Sequence, residues 1–270
     1  MISLAKGTVF IAMLILLTAC SPDFVSRESD MSSVAETAAL LQENDGADVS
    51  AAAEKSSSGG SADEPELPRE YVIENFPLVL QMPELPTGCE VTALTMALNY
   101  YGCDVDKTTM AAEYLPTVPA NRHYGDDGRL YGSDLRKYFV GDPFTESGYI
   151  CGTEAILRAA NDYLRQAGSS LRASDKSGSS PEELYRLVSQ NTPVVVWVTI
   201  EMADRRPTEG WYTEDGEYVE WSTNDHGAVL IGYSENTVTA ANPLSGIVEY
   251  SRTQFEKVFA SRSRQCVVIE

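Results

Sequence analysis

The chain has 270 residues, with 40 acidic against 20 basic side chains and a formal net charge of -20. That length gives room for one ordinary domain and some extra segments, and a surface this acidic argues against nucleic acid as a partner. Two histidines and no Cys-x-x-Cys pair supply a zinc site poorly. No phosphate-cradling glycine loop is present for ATP. Neither a cofactor nor a metal is expected.

The first residues have the pattern of an export signal. Lys6 supplies a positive charge, and residues 9–17 form an apolar run too short to span a bilayer comfortably. Leu17-Thr-Ala-Cys20 follows, which resembles a bacterial lipobox. This predicts a signal peptide over 1–19, lipidation of Cys20, and a protein anchored to the cell membrane on its extracytoplasmic side. Residues 21–70 carry 12 acidic and 3 basic side chains, a net of -9. They are rich in Ser, Ala and Gly and lack a sustained apolar period, which predicts a disordered tether. The folded domain is expected over 71–270.

Within that domain an extended lead-in over 72–80 precedes Leu85-Pro-Thr-Gly-Cys89-Glu-Val-Thr-Ala-Leu. Thr87 and Glu90 have capping-box spacing. A helix is therefore expected to begin at Gly88 and Cys89 and to stop at Gly102. Free amides and the helix dipole at a first turn favour a thiolate at Cys89. A small buried structural cysteine has the same local signature. Residues 108–113 suggest a second short helix, and 117–150 read as loop. A helix is expected over 153–166. Ser180-Pro-Glu-Glu183 opens another, through 188. Residues 194–200 form a continuous apolar run, expected as a buried strand. Residues 211–221 suggest an exposed hairpin turning at Asp215-Gly216, whose Trp211, Tyr212 and Trp221 would wall a cleft or pack across strands. Strands over 226–233, 237–242 and 266–269, with a short helix near Phe255, complete the chain. Helices early and strands late predict an α+β fold, with N-terminal helices packed on an antiparallel sheet.

His226 and Asn242 lie on consecutive strands that form a hairpin. A three-residue loop puts Asn242 diagonally beside His226, and a two-residue loop needs a bulge to do so. Cys89, His226 and an Asn that orients the imidazole have the composition of a thiol-protease site. Gln81, eight residues before Cys89, is placed to share an oxyanion hole with the Cys89 N–H. Each residue alone has a plain structural reading, and their combination is what points to catalysis. His123 lies in a polar loop and reads as surface. Of the other cysteines, Cys103, Cys151 and Cys266, at most one pair can form a disulfide if Cys89 stays free.

These residues resemble the cysteine peptidase family 39-like domains, which are papain-like and related to the domains that trim bacteriocin leader peptides. The resemblance is carried by Gln81 with Leu85-Pro-Thr-Gly-Cys89 and its helix through Gly102, by residues 140–152, and by His226-Gly-Ala-Val-Leu-Ile-Gly-Tyr233 with Asn242-Pro243. It implies a papain-like fold over roughly 71–270, with Cys89 as nucleophile, His226 as base, Asn242 as orienting residue and Gln81 as oxyanion donor. Many relatives have Asp at the position of Asn242. Leader-trimming relatives are fused to an exporter ATPase that this chain lacks, so leader processing does not carry over. The expectation is a surface-anchored peptidase acting on a peptide or protein. A peptidoglycan-peptide hydrolase of the same chemistry and a non-enzymatic papain-like binding module are the alternatives.

Overall fold

The computed structural model describes residues 66–270. The expected signal peptide, Cys20 and most of the expected tether lie outside the described residues. Leu67, at the end of the stretch read as tether, packs against the core, and the Pro68 carbonyl accepts from the Tyr233 hydroxyl at 3.1 Å.

The main sheet has seven strands: β1 (Tyr71–Val72), β2 (Ala173–Asp175), β3 (Val194–Thr199), β4 (Asp225–Tyr233), β5 (Thr237–Asn242), β6 (Gly246–Ser251) and β7 (Cys266–Ile269). Their order is β6-β5-β4-β3-β7-β2, with β1 paired to the end of β4, and every pairing is antiparallel. β3, β4 and β7 are buried along their whole length. That is why β3 reads as an unbroken apolar run rather than an alternating one. Together with the helices below, this is the α+β, papain-like arrangement that the sequence predicts.

Four helices pack around the sheet: α1 (Cys89–Tyr100), α2 (Thr153–Gln166), α3 (Pro181–Ser189) and α4 (Arg252–Ser261). The expected capping box opens α3: Glu183 N–H donates to Ser180 Oγ at 3.2 Å, and Ser180 N–H to Glu183 Oε2 at 2.6 Å. α1 ends as predicted. Gly102 adopts φ +82°, Gly102 N–H bonds the Asn99 carbonyl, and Cys103 N–H bonds the Leu98 carbonyl. Those two bonds are the signature of a left-handed glycine stop.

The start of α1 differs from expectation. Thr87 Oγ1 donates to the carbonyls of Asp142 and Thr145, so it does not cap the helix. Gly88 is the N-cap, with no side-chain cap bond, and Cys89 is the first helical residue. α1 is buried on all sides from Cys89 to Leu98, packed against β4, β3 and α2. Its threonines satisfy themselves by bonding back: Thr92 Oγ1 to Gly88 O at 2.7 Å and Thr95 Oγ1 to Val91 O at 2.8 Å.

Three further expectations are corrected. The second short helix is one α-turn, Lys107–Thr109, running into a π-helical turn, Met110–Tyr114. Residues 117–150 are not plain loop. They contribute to a parallel pair, Thr117–Val118 with Phe139–Val140, and to a small four-stranded sheet shared with Trp211–Tyr212 and Tyr218–Val219. The 211–221 hairpin does turn at Asp215-Gly216, but Trp211 is fully buried, with Nε1 donating to the Ser133 carbonyl at 2.8 Å. Trp211 joins Leu135, Val140, Ile150 and Val219 in a second small core beside the main one.

Candidate active site

The site is assembled where the start of α1 meets β4. Gly227 makes that meeting possible. A Cβ placed there would lie 2.9 Å from the Glu90 Cα and 3.1 Å from the Glu90 N, so only a glycine lets the strand approach the first turn so closely. The Gly227 N–H points at the Cys89 sulfur, and His226 precedes it on the same strand. Gln81, Cys89 and His226 line one cleft of about 280 Å3, together with Tyr149, Ile150, Ile200, Trp221, Ser222 and Leu244. Trp221 is thus the hairpin aromatic that walls the cleft, and Tyr149 meets it edge-on at 4.8 Å between ring centroids.

β4 and β5 turn through two residues, and a bulge between Leu230 and Gly232 resets the register so that Val229 opposes Ala241. Continued, that register puts Asn242 diagonal to His226. His226 Nε2 lies 2.9 Å from Asn242 Oδ1. The amide orientation is fixed on both sides: Oδ1 also accepts from Leu244 N–H at 2.8 Å, and Nδ2 donates to the Tyr250 hydroxyl at 2.9 Å. An amide oxygen only accepts, so Nε2 must carry the ring proton and Nδ1 is the basic nitrogen. Burial lowers the His226 pKa from 6.5 to about 4, against the upward pull of Asn242. His226 is therefore neutral at neutral pH.

Cys89 departs from the sequence expectation. Its Sγ–H donates to Glu90 Oε2 at 3.2 Å, and among the described residues no hydrogen bond joins it to His226. Burial, and then the Glu90 charge, push its pKa well up. The lowering expected at a helix start is outweighed, because only the Gly227 and Glu90 N–H groups favour the thiolate. Glu90 is itself buried, and desolvation raises its pKa from 4.5 to about 7. The capping-box spacing concealed this residue: its Oε1 accepts from the distant Cys151 N–H at 3.4 Å instead of closing a cap.

Gln81 is buried in the wall of the cleft. Its Nε2 donates to the carbonyls of Leu85, at 3.1 Å, and Pro86, at 2.8 Å. Its Oε1 is buried without a partner. The surrounding loop is held by Lys107, a residue the sequence reading passed over. Lys107 Nζ donates to the carbonyls of Leu80, Gln81 and Met82 and pairs with Glu84 at 2.6 Å. Asp225, also missed, sits buried beside His226 between Arg205, at 3.1 Å, and Arg262, at 3.0 Å. Both stand among polar neighbours in the sequence, so nothing local marked them out. His123 is exposed, stacked on Tyr131. Cys89, Cys103, Cys151 and Cys266 are all free thiols.

A scan against family models matches residues 73–267 to the Peptidase_C39-like family. The uncharacterised protein YvpB of Bacillus subtilis (strain 168) is 32% identical over 192 residues, which is 71% of this chain and 72% of YvpB. A solved structure from Bacillus anthracis, described as a candidate C39-like peptidase, is also 32% identical. That alignment covers 74% of this chain and 97% of the other, with a TM-score of 0.65. The matched span contains α1, the cleft and the β4–β5 hairpin, so the site described above falls inside the shared domain. This chain belongs to the Peptidase_C39-like family.

Proposed function

We propose that the chain is a cysteine peptidase that hydrolyses a peptide bond through a thioester on Cys89. The observation that carries this reading is the His226–Asn242 pair. The doubly fixed Asn242 amide commits the imidazole to one tautomer and leaves Nδ1 as base, on a residue that shares its cleft with Cys89. In the reaction the Cys89 thiol proton passes to Nδ1, and the sulfur adds to the substrate carbonyl. The imidazolium then protonates the leaving amine, and water hydrolyses the thioester. The Cys89 N–H, at the first turn of α1, is one donor for the oxyanion. Gln81 is the second. To serve, its Nε2 must exchange one of its two loop carbonyls for the oxyanion.

Lipidation at Cys20 is part of the proposal. It rests on the Leu17-Thr-Ala-Cys20 motif behind Lys6 and an apolar run, and it would hold the domain on the extracytoplasmic face of a membrane, where peptides and proteins are its substrates. The test is incubation with a peptide library and with casein, comparing wild type, Cys89→Ser and His226→Ala. Cleavage in wild type, absent from both variants, supports the reading. Cleavage that survives Cys89→Ser would end it. One observation favours a second reading, a binding module: the Cys89 thiol is bonded to Glu90 and not to His226. Peptide retention without cleavage in wild type would select it.

A further inference from the structure

Glu90 is a buried carboxylate that the proposed mechanism does not use. It is 1% exposed. One of its oxygens takes the Cys89 S–H and the other the Cys151 N–H. Gly227, next to His226, lies against its Cα and Cγ. Arg262 is within electrostatic reach of it, with Nη1 committed to Asp225. The titratable and charged groups that reach Glu90 are therefore Cys89 on its own helix, Cys151 before α2 and Arg262 after α4, and the β4 strand packed against it carries Asp225 and His226 just before Gly227. Building on the peptidase reading above, we propose that Glu90 is a positioning residue for the nucleophile. It holds the Cys89 sulfur as a thiol, and it releases that sulfur to His226 when it takes up a proton.

The proton inventory makes the claim specific. In the arrangement described, Cys89 is S–H, Glu90 is carboxylate and His226 is neutral. In the reactive arrangement Cys89 is thiolate, Glu90 is carboxylic acid and His226 is imidazolium. The thiol proton has gone to His226 Nδ1, and one proton from solvent has gone to Glu90. The Glu90 O–H then donates to the sulfur across the contact it formerly accepted, and repulsion between carboxylate and thiolate is removed. The reactive arrangement holds one proton more, so it is depleted as pH rises past the Glu90 titration. Desolvation sets that titration at about 7.

The test is the rate of iodoacetamide labelling of Cys89 in the full chain, assigned by mass spectrometry, from pH 6 to 8. In wild type the rate is expected to fall about tenfold over that range, following protonated Glu90. An ordinary thiol would instead become faster. In Glu90→Gln the carboxamide N–H donates at every pH, so the fall disappears and labelling at pH 8 exceeds wild type by about tenfold. A wild-type rate that climbs steadily from pH 6 to 8 overturns the proposal, and that result needs no variant to fold. A Glu90→Gln profile identical to wild type also overturns it. His226→Ala separates the two readings. If labelling near pH 6 depends on His226 while Glu90→Gln follows the wild-type rate all the way from pH 6 to 8, this inference fails and the peptidase reading stands. If labelling near pH 6 is unchanged in His226→Ala, both fail.

Discussion

Gly227→Ala places one methyl group where α1 and β4 touch. Its Cβ would stand 2.9 Å from Glu90 Cα, with the Glu90 N and Cγ at 3.1 Å, whereas ordinary contacts begin near 3.4 Å. Two of those three neighbours are helix backbone, so no side-chain rotation relieves the crowding. The strand and helix must separate by roughly half an ångström, and overpacking of this kind costs about 1–3 kcal/mol. For a domain of this size each kcal/mol lowers Tm by about 2–4 °C, so calorimetry should show a fall of roughly 2–12 °C. The local effect is larger than the global one. The Gly227 N–H is withdrawn from the Cys89 sulfur, and His226 moves with its strand. Cys89 labelling near pH 6 should drop by at least about tenfold, the equivalent of a single misplaced hydrogen bond to a charged group. A Tm within about 1 °C of wild type, with unchanged labelling, would refute the claim that this glycine sets the distance between nucleophile and base.

The remaining predictions concern the groups around that contact. Asn242→Ala leaves His226 Nε2 without its acceptor inside the protein, which should cost about 1–3 kcal/mol in chemical denaturation and abolish peptide cleavage. The pH dependence of stability should contain two opposed contributions. His226 titrates at about 4 when folded and 6.5 otherwise, so the unfolded chain binds its proton first and stability is lost as pH falls from 6.5 towards 4. Glu90 titrates at about 7 when folded and 4.5 otherwise, so its contribution is lost as pH rises from 4.5 to 7. Each amounts to about 3 kcal/mol. They nearly cancel in wild type between pH 4.5 and 6.5, so over that range Glu90→Gln should lose stability as pH falls and His226→Gln should lose it as pH rises. Lys107→Met removes the donor shared by three consecutive carbonyls, and hydrogen exchange over residues 80–86 should quicken by at least about tenfold while the sheet stays protected.

The central elements could be read from the sequence because their signals are local. Ser180 and Glu183 made the cap their spacing announced, Gly102 stopped α1, and the apolar run at 194–199 became an interior strand. Thr87 and Glu90 carry the same three-residue spacing, yet tertiary contacts outbid the local one. The Asp142 and Thr145 carbonyls took the threonine hydroxyl, and Cys89 and Cys151 took the carboxylate. No pattern within a few residues of Glu90 can reveal a partner 61 positions away. Residues 117–150 were opaque for a different reason. Their strands are two residues long, too short to show a period; two pairs form within the segment, and Tyr131 alone reaches out, to Tyr212 of the 211–219 hairpin. The His226–Asn242 pairing was reachable because a hairpin constrains its own register, although the bulge at Ile231 could not be placed in advance.

The order of strands across the sheet also bears on how the molecule comes into being. β7, built from residues 266–269, is not an edge strand. It lies between β3 and β2, so the middle of the sheet is completed by the segment that is last in sequence. The candidate nucleophile is made 137 residues before its base, and both are made before the strand that closes the layer beneath them. Contacts this distant along the chain form late and slowly. A growing chain therefore carries its cysteine for most of its synthesis without the surroundings that bury it. The burial that sets Cys89 apart from an ordinary exposed thiol is completed only when the β7 segment has joined the sheet.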